Sequence, residues 1–316
     1  MEIEDWHKRK NYLQKLLINL IGGFPKKRTP LNPRIVEQID EGSYIREKVV
    51  YETEPGEIVP AYLLIPKKLK GKTPAVFVHH QHGGQFHIGK SEVIGRAGHP
   101  DQAYAKELAE LGYIAFAPDA KCFEERVLFG LEGGHIEYYE GMRLILLGEC
   151  LQRRMIWDVI RGIDYLLTRK EVDGNRIGCI GHSLGGQETL YASALDPRIK
   201  AAVSSCGFST YKAILRNKVT HNLALYIPGL LRYTDTPEIA SMIAPRPFLI
   251  LTGSKDGSFP LDGVQEVYNK ARKIYRLYGA DEKLKLVINN IGHGSPDPTR
   301  EEAYAWFDKW LRHSKN

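Results

Sequence analysis

The stretch Arg176-Ile177-Gly178-Cys179-Ile180-Gly181-His182-Ser183-Leu184-Gly185-Gly186-Gln187 decides how the rest of the chain reads. A short apolar run ends abruptly in Gly-x-Ser-x-Gly, and Gln187, Glu188, Thr189 and Leu190 begin a helix-like segment. A serine on so tight a strand-to-helix turn has a strained backbone, so the residues two before and two after it must be nearly free of side chain. Gly181 and Gly185 occupy those places, and Gly186 lets the new helix approach the neighbouring strands. The pattern predicts a nucleophile elbow that lifts the Ser183 hydroxyl above a sheet, over a helix N-terminus that favours developing negative charge.

Outward from the elbow, apolar runs and helical patterns alternate. Ala75-Val76-Phe77-Val78 has no polar alternation, the mark of a strand covered on both faces. Strands are expected at 113–117, 201–206, 247–252 and 284–288, and helices at about 100–111, 149–168, 261–277 and 298–312. Two further strands, at 46–54 and 58–65, flank a turn at Pro55-Gly56. The expected class is α/β, with a mainly parallel central sheet and helices on both faces. Residues 5–21 carry Trp6, Leu13, Leu16, Leu17 and Leu20 at helical spacing, which reads as a helix packed against the main body. Pro25, Pro30 and Pro33 then mark a linker, so the chain divides into a helical extension at 1–45 and a catalytic domain at 46–316. Two connections, 120–148 and 207–245, are too long for simple loops and follow strands whose C-terminal ends should border the site. They are the candidate lid and pocket walls.

Composition narrows the function. A hydrophobic fraction of 43% suits a globular protein with a large core. The net charge is +6, but the basic residues are scattered through turn-like stretches rather than gathered in a stripe, which argues against a nucleic-acid partner. There is no apolar run of transmembrane length and no secretory pattern at the acidic start Met1-Glu2-Ile3-Glu4-Asp5, so no membrane partner and a cytoplasmic location are expected. Cys122, Cys150, Cys179 and Cys206 are widely spaced and fit reduced thiols.

A serine hydroxyl needs a base, and the base an orienting carboxylate. In folds with this elbow the chain order is Ser, acid, His. Asp256 follows the strand at 247–252 in Gly253-Ser254-Lys255-Asp256-Gly257, and His293 follows the strand at 284–288 in Ile291-Gly292-His293-Gly294. Both therefore stand at strand ends in the required order, with Asp262 or Asp119 as alternative acids. The other histidines, among them His99, His135, His221 and His313, lack that placement and read as surface or packing residues. An oxyanion hole needs the amide after the nucleophile, Leu184, plus one from the loop His79-His80-Gln81-His82-Gly83-Gly84-Gln85. His82 is the expected second donor, with Gln81 as the alternative. His79, His80, His82 and His87 also raise a metal reading, but no carboxylate or cysteine completes a tetrahedral set at the usual spacing, so no cofactor is expected.

With these motifs together, the chain resembles the dienelactone-hydrolase and acetyl-xylan-esterase-like branch of the α/β-hydrolases. The resemblance covers about residues 45–312. It is carried by the elbow, the His80-Gln81-His82-Gly83-Gly84-Gln85 loop, Pro118-Asp119, Ile243-Ala244-Pro245-Arg246-Pro247 and the Asp256/His293 pair. Dienelactone hydrolases use cysteine at the elbow, and Ser183 stands there in this chain, which favours ordinary ester hydrolysis over lactone opening. The resemblance implies a serine carboxylesterase acting on small or medium esters, acetylated sugars included, with a small-molecule ester as its partner. A prolyl-oligopeptidase-like acylaminoacyl peptidase and a non-catalytic hydrolase-fold binding protein are the rivals. A homodimer through the N-terminal helix or an edge strand stays open.

Overall fold

The computed structural model describes residues 2–312, so Met1 and His313 lie outside it. Nine strands form one sheet: β1 (Arg34–Asp40), β2 (Tyr44–Glu54), β3 (Glu57–Pro66), β4 (Thr73–His79), β5 (Ile114–Pro118), β6 (Val172–His182), β7 (Ile199–Ser205), β8 (Phe248–Gly253) and β9 (Leu284–Asn289). Their order is β1-β2-β3-β5-β4-β6-β7-β8-β9. The first three pairings are antiparallel, and every pairing from β5 to β9 is parallel. The chain leaves β4 towards one edge, forms β5, and returns to the other side of β4 as β6. Connections therefore diverge at β4 and β6 and open a crevice beyond their C-terminal ends, where ligands bind in open α/β sheets.

Ten α-helices accompany the sheet among the described residues, with short 3-10 turns between them: α1 (Ile3–Leu20), α2 (Lys90–Val93), α3 (Tyr104–Glu110), α4 (Gly134–Leu146), α5 (Leu151–Leu166), α6 (Leu184–Leu195), α7 (Tyr211–Arg216), α8 (Thr236–Ser241), α9 (Leu261–Leu277) and α10 (Asp297–Phe307), the last running on helically to Arg312. The continuous apolar run of β4 is explained by its two faces. Ala75 and Phe77 enter one core with α1, α5, α6 and α9, whereas Val76 and Val78 enter a second core with α3 and α10. In β5, Ile114 and Phe116 go to the first core, and Ala115 and Ala117 to the second.

One strand was not expected. Residues 34–40 read as the end of a proline-marked linker, yet β1 pairs with β2 along its length. Six of its seven residues are exposed, Ile35 and Val36 among them, so no burial imprints a period on the sequence. Main-chain pairing holds it, together with the Glu37 carboxylate, which meets the buried Arg46 of β2 at 2.6 Å. The elbow helix also starts three residues earlier than expected, at Leu184.

The amphipathic N-terminal helix packs as its spacing predicts. Trp6, Leu13 and Leu17 of α1 are buried in the first core. Arg9 reaches both carboxylate oxygens of Glu238 on α8, at 2.8 and 2.6 Å, and the Lys10 ammonium donates to the Ala244 carbonyl at 2.9 Å. Burial, with Arg246 nearby, pushes the Lys10 ammonium down to about 8. All four cysteines are buried and unpaired, and no described helix is long and apolar enough to cross a membrane.

Leu17 is fully enclosed, so Leu17→Ala is expected to cost about 2–5 kcal/mol in a single cooperative urea transition. An unchanged midpoint would mean that α1 does not share the core of the sheet.

Candidate active site

The elbow is a steric construction. β6 ends at His182, Ser183 sits at φ 56° and ψ −118°, and α6 begins at the next residue. A positive φ is costly for a residue with a Cβ and persists only where the surroundings enforce it. Here a Cβ on Gly181 would lie 2.3 Å from the Gly185 carbonyl carbon, and one on Gly185 would lie 2.6 Å from the His79 carbonyl oxygen. A Cβ on Gly186 would come within 2.8 Å of the Gly207 Cα. Each of the three elbow glycines thus has backbone where a side chain would go. The turn is pinned by the Ser183 amide, which donates to the Ser205 carbonyl of β7 at 2.9 Å.

Two loops from neighbouring strand ends bring the expected partners to Ser183. His293 Nε2 lies 2.9 Å from Ser183 Oγ, and His293 Nδ1 lies 3.0 Å from Asp256 Oδ2. The loops are joined by main chain, the Ser254 amide donating to Asn289 at 2.8 Å and Lys255 to Ile291 at 2.9 Å. The other Asp256 oxygen accepts from the amides of Ser258 and Phe259, at 2.8 and 3.2 Å. An ionised Asp256 can only accept, so His293 carries its proton on Nδ1 and offers Nε2 to the serine hydroxyl. Burial alone would raise the Asp256 carboxyl. The hydrogen bond and charge of His293, aided by the Ser258 amide, outweigh it and hold Asp256 below the ordinary carboxylate value. The alternative acids are engaged elsewhere: Asp262 pairs with Arg216, and Asp119 with Lys90.

Two more histidines surround this set. His182 is buried with its ring 4.8 Å from that of His293, and burial, reinforced by His293, pushes it down to about 3, so it stays neutral. His221, which the sequence places among surface or packing residues, is half-buried beside the site. Its Nε2–H donates to the Ser258 carbonyl at 2.7 Å, and its ring stacks at 4.6 Å on Phe259, the residue whose amide binds Asp256. It arrives from the second long insertion, and no local motif announces it.

The loop after β4 faces the serine across the crevice. The His80 ring is fixed, accepting from the Ala120 amide at 3.0 Å and donating to the Gln81 carbonyl at 2.7 Å. The Gln81 side chain donates to Glu92 at 2.9 Å. Gly83 and Gly84, at φ 53° and 69°, complete a tight turn. The amides of Leu184, of His82 and of its alternative Gln81 donate to no other described residue. Three of the four imidazoles of the metal reading have other partners: His79 pairs with Glu188 at 2.5 Å, His82 with Glu137 at 3.1 Å, and His80 as described above, while His87 is exposed.

A model of the Abhydrolase family matches residues 1–286. The chain belongs to that family. YtaP of Bacillus subtilis (strain 168) is 33% identical to it over 301 residues, covering 94% of this chain and 98% of YtaP. Among solved structures, a glucuronoyl esterase from Solibacter usitatus superposes with a TM-score of 0.74 at 16% identity, covering 98% of this chain and 94% of the other. An acetyl xylan esterase from Paenibacillus sp. R4 gives 0.63 at 20%, with coverage of 98% and 94%. At such identities the two structures share the fold with this chain. The α/β-hydrolase part of the sequence resemblance is thereby established.

Around the site, this Abhydrolase-family chain carries two other built features. The fully buried Lys90 ammonium is met by Asp119, Glu124 and Glu125 at 2.8, 2.7 and 2.5 Å, tying α2 to the end of β5 and the start of the first insertion. Burial pushes the Asp119 carboxyl up to about 7 against the pull of Lys90, with Glu124 adding to the rise. The three carboxylates sit where they could hold a cation, and the lysine supplies that charge. Between the two long insertions lies an apolar cavity of about 480 Å³, walled by Gly141 and Ile145 on one side and Leu223, Tyr226 and Leu230 on the other. Ser183, Asp256 and His293 do not line it.

Lys90→Met would leave the buried Asp119 carboxylate and the partly buried Glu124 without their cation and is expected to destabilise the fold by about 3–5 kcal/mol, measured by denaturant unfolding at pH 7. A change below about 1 kcal/mol, the size of a surface pair, would show that the cluster is solvated.

Proposed function

We propose that the protein is a serine carboxylesterase acting on small to medium carboxylic esters, with acetyl or other esters of carbohydrates as the substrate class. The observation that carries this reading is the continuous Asp256–His293–Ser183 hydrogen-bonded line, at 3.0 and 2.9 Å, over the crevice at the switch point of the sheet. The carbohydrate part is supported by the two structural neighbours, whose names are those of a glucuronoyl esterase and an acetyl xylan esterase.

In the proposed reaction His293 Nε2 takes the Ser183 proton as Oγ attacks the ester carbonyl carbon. Negative charge moves to the carbonyl oxygen, and the Leu184 amide and a second amide from His82 or Gln81 stabilise it. The tetrahedral intermediate expels the alcohol, which takes the proton from His293, and leaves an acyl-enzyme on Ser183. Water then attacks the acyl carbon while His293 accepts its proton. Collapse releases the acid and returns that proton to Oγ. Asp256 fixes the imidazole tautomer and stabilises its cationic form throughout. The residues supply every proton and the nucleophile, so the reading requires no cofactor.

Initial rates on p-nitrophenyl esters of increasing acyl length, beside acetylated xylo-oligosaccharide and an aminoacyl-nitroanilide, test the reading. Short acyl esters and the acetylated sugar are expected to be cleaved and the anilide spared, with Ser183→Ala lowering kcat by at least about 10⁴-fold. Anilide cleavage would replace the esterase by a peptidase, and full activity in Ser183→Ala would remove the nucleophile.

A further inference from the structure

The Glu137 carboxylate joins three segments that are distant in sequence. Glu137 lies on α4 in the first insertion and is nearly buried. One of its oxygens accepts the Leu223 amide of the second insertion at 2.9 Å. The other meets Nε2 of His82, in the loop after β4, at 3.1 Å. The tautomer of His82 is forced, because the Gly84 amide donates to its Nδ1 at 3.0 Å. Nδ1 is therefore an acceptor, and the ring proton sits on Nε2 and points at Glu137. The ring is also held edge-on to Phe86 and Phe123, with centroids at 5.0 and 5.2 Å. All of the polar capacity of the His82 ring is thus used, half of it within its own turn and half on the first insertion.

From this geometry we propose that Glu137 is the positioning residue for the oxyanion loop: it orients the His82 turn towards Ser183 and locks that orientation to the second insertion through Leu223. The inference rests on the esterase reading above. It assigns a role in the reaction to a residue that touches neither Ser183 nor His293. The Glu137 contacts cross 55 residues to His82 and 86 to Leu223, so seating the insertions and aligning the oxyanion donor become one event. A second contact follows the same line: a Cβ on Gly141, one helical turn beyond Glu137, would lie 2.6 Å from Leu223 Cδ1, so the helix face beside Glu137 is kept bare for the second insertion.

The test is the kcat and KM of Glu137→Ala, His82→Ala and the double variant on p-nitrophenyl acetate, with thermal melts alongside. Loss of an oxyanion donor costs about 10²–10³ in kcat, and a loop that is loosened rather than deleted should cost about 10- to 100-fold. Each single variant is expected to fall in that range with KM within about threefold, and the double variant to be no slower than the slower single. Leu223→Pro isolates the other arm. It removes the amide donated to Glu137 together with the Leu223 side chain, whose loss alone is measured in Leu223→Ala; the site is the first residue of a short helical turn, where proline is tolerated, and Asn222 before it already has the extended φ −59° and ψ 156° that a following proline requires. It should lower kcat in the wild-type background and have no further effect in Glu137→Ala. If Glu137→Ala does not fold, Glu137→Gln, which keeps one acceptor oxygen, is expected to show the same pattern at smaller size. Unchanged kcat in an active, folded Glu137 variant, or losses that multiply in the double variant, overturns the inference and leaves the esterase reading standing. A folded wild-type chain that is silent on every ester overturns both.

Discussion

Everything in this molecule that bears on chemistry depends on how closely the backbone of the elbow can approach its surroundings. Gly181 and Gly185 face each other so tightly that a Cβ on the first would fall inside the second, and Gly185 in turn abuts the carbonyls of His79, at the end of β4, and of His80 just after it. That proximity forces Ser183 to a positive φ, and it also places the strand carrying the oxyanion loop against the strand carrying the nucleophile. A side chain at either position would move both at once. The sheet order makes the arrangement useful, since β4 and β6 are the neighbours at which the chain changes direction.

Those constraints explain what could be read from the chain. The elbow was legible because backbone contact leaves glycine as its trace. The β4 and β5 runs were legible because a strand buried on both faces loses its polar alternation. Asp256 and His293 were found by their place just after predicted strand ends, in turns where Gly253 and Gly292 let two loops touch. The edge strand β1 was not found, because a strand exposed on both faces and held mainly by main-chain pairing writes no period into its side chains. The packing of His221 beside the site and the contacts of Glu137 were not legible for another reason. Their partners lie tens of residues away, on insertions whose fold follows from packing and not from a local period.

The buried charges follow a common rule. Lys90 among three carboxylates and Asp256 against His293 are groups taken out of water and then fully engaged. Both tie one segment bordering the crevice to another, the first holding α2 and the first insertion to the sheet, the second coupling the loops after β8 and β9. The site is therefore assembled by polar contacts between segments and by a third, smaller apolar cluster that joins Phe86, Phe123, Ile136, Leu184 and Ala224, on a scaffold built around two larger apolar cores. The apolar cavity between the insertions lies beyond Leu223, and the strap that walls it also supplies His221 and the amide held by Glu137.

The central claim is that Ser183 is an activated nucleophile. Treating the folded protein with a fluorophosphonate probe, then locating the adduct by peptide mass spectrometry, tests it directly. The account predicts stoichiometric labelling at Ser183, abolished in Ser183→Ala and strongly slowed in His293→Ala. A folded protein that stays unlabelled at Ser183, or is labelled equally fast without His293, would contradict it.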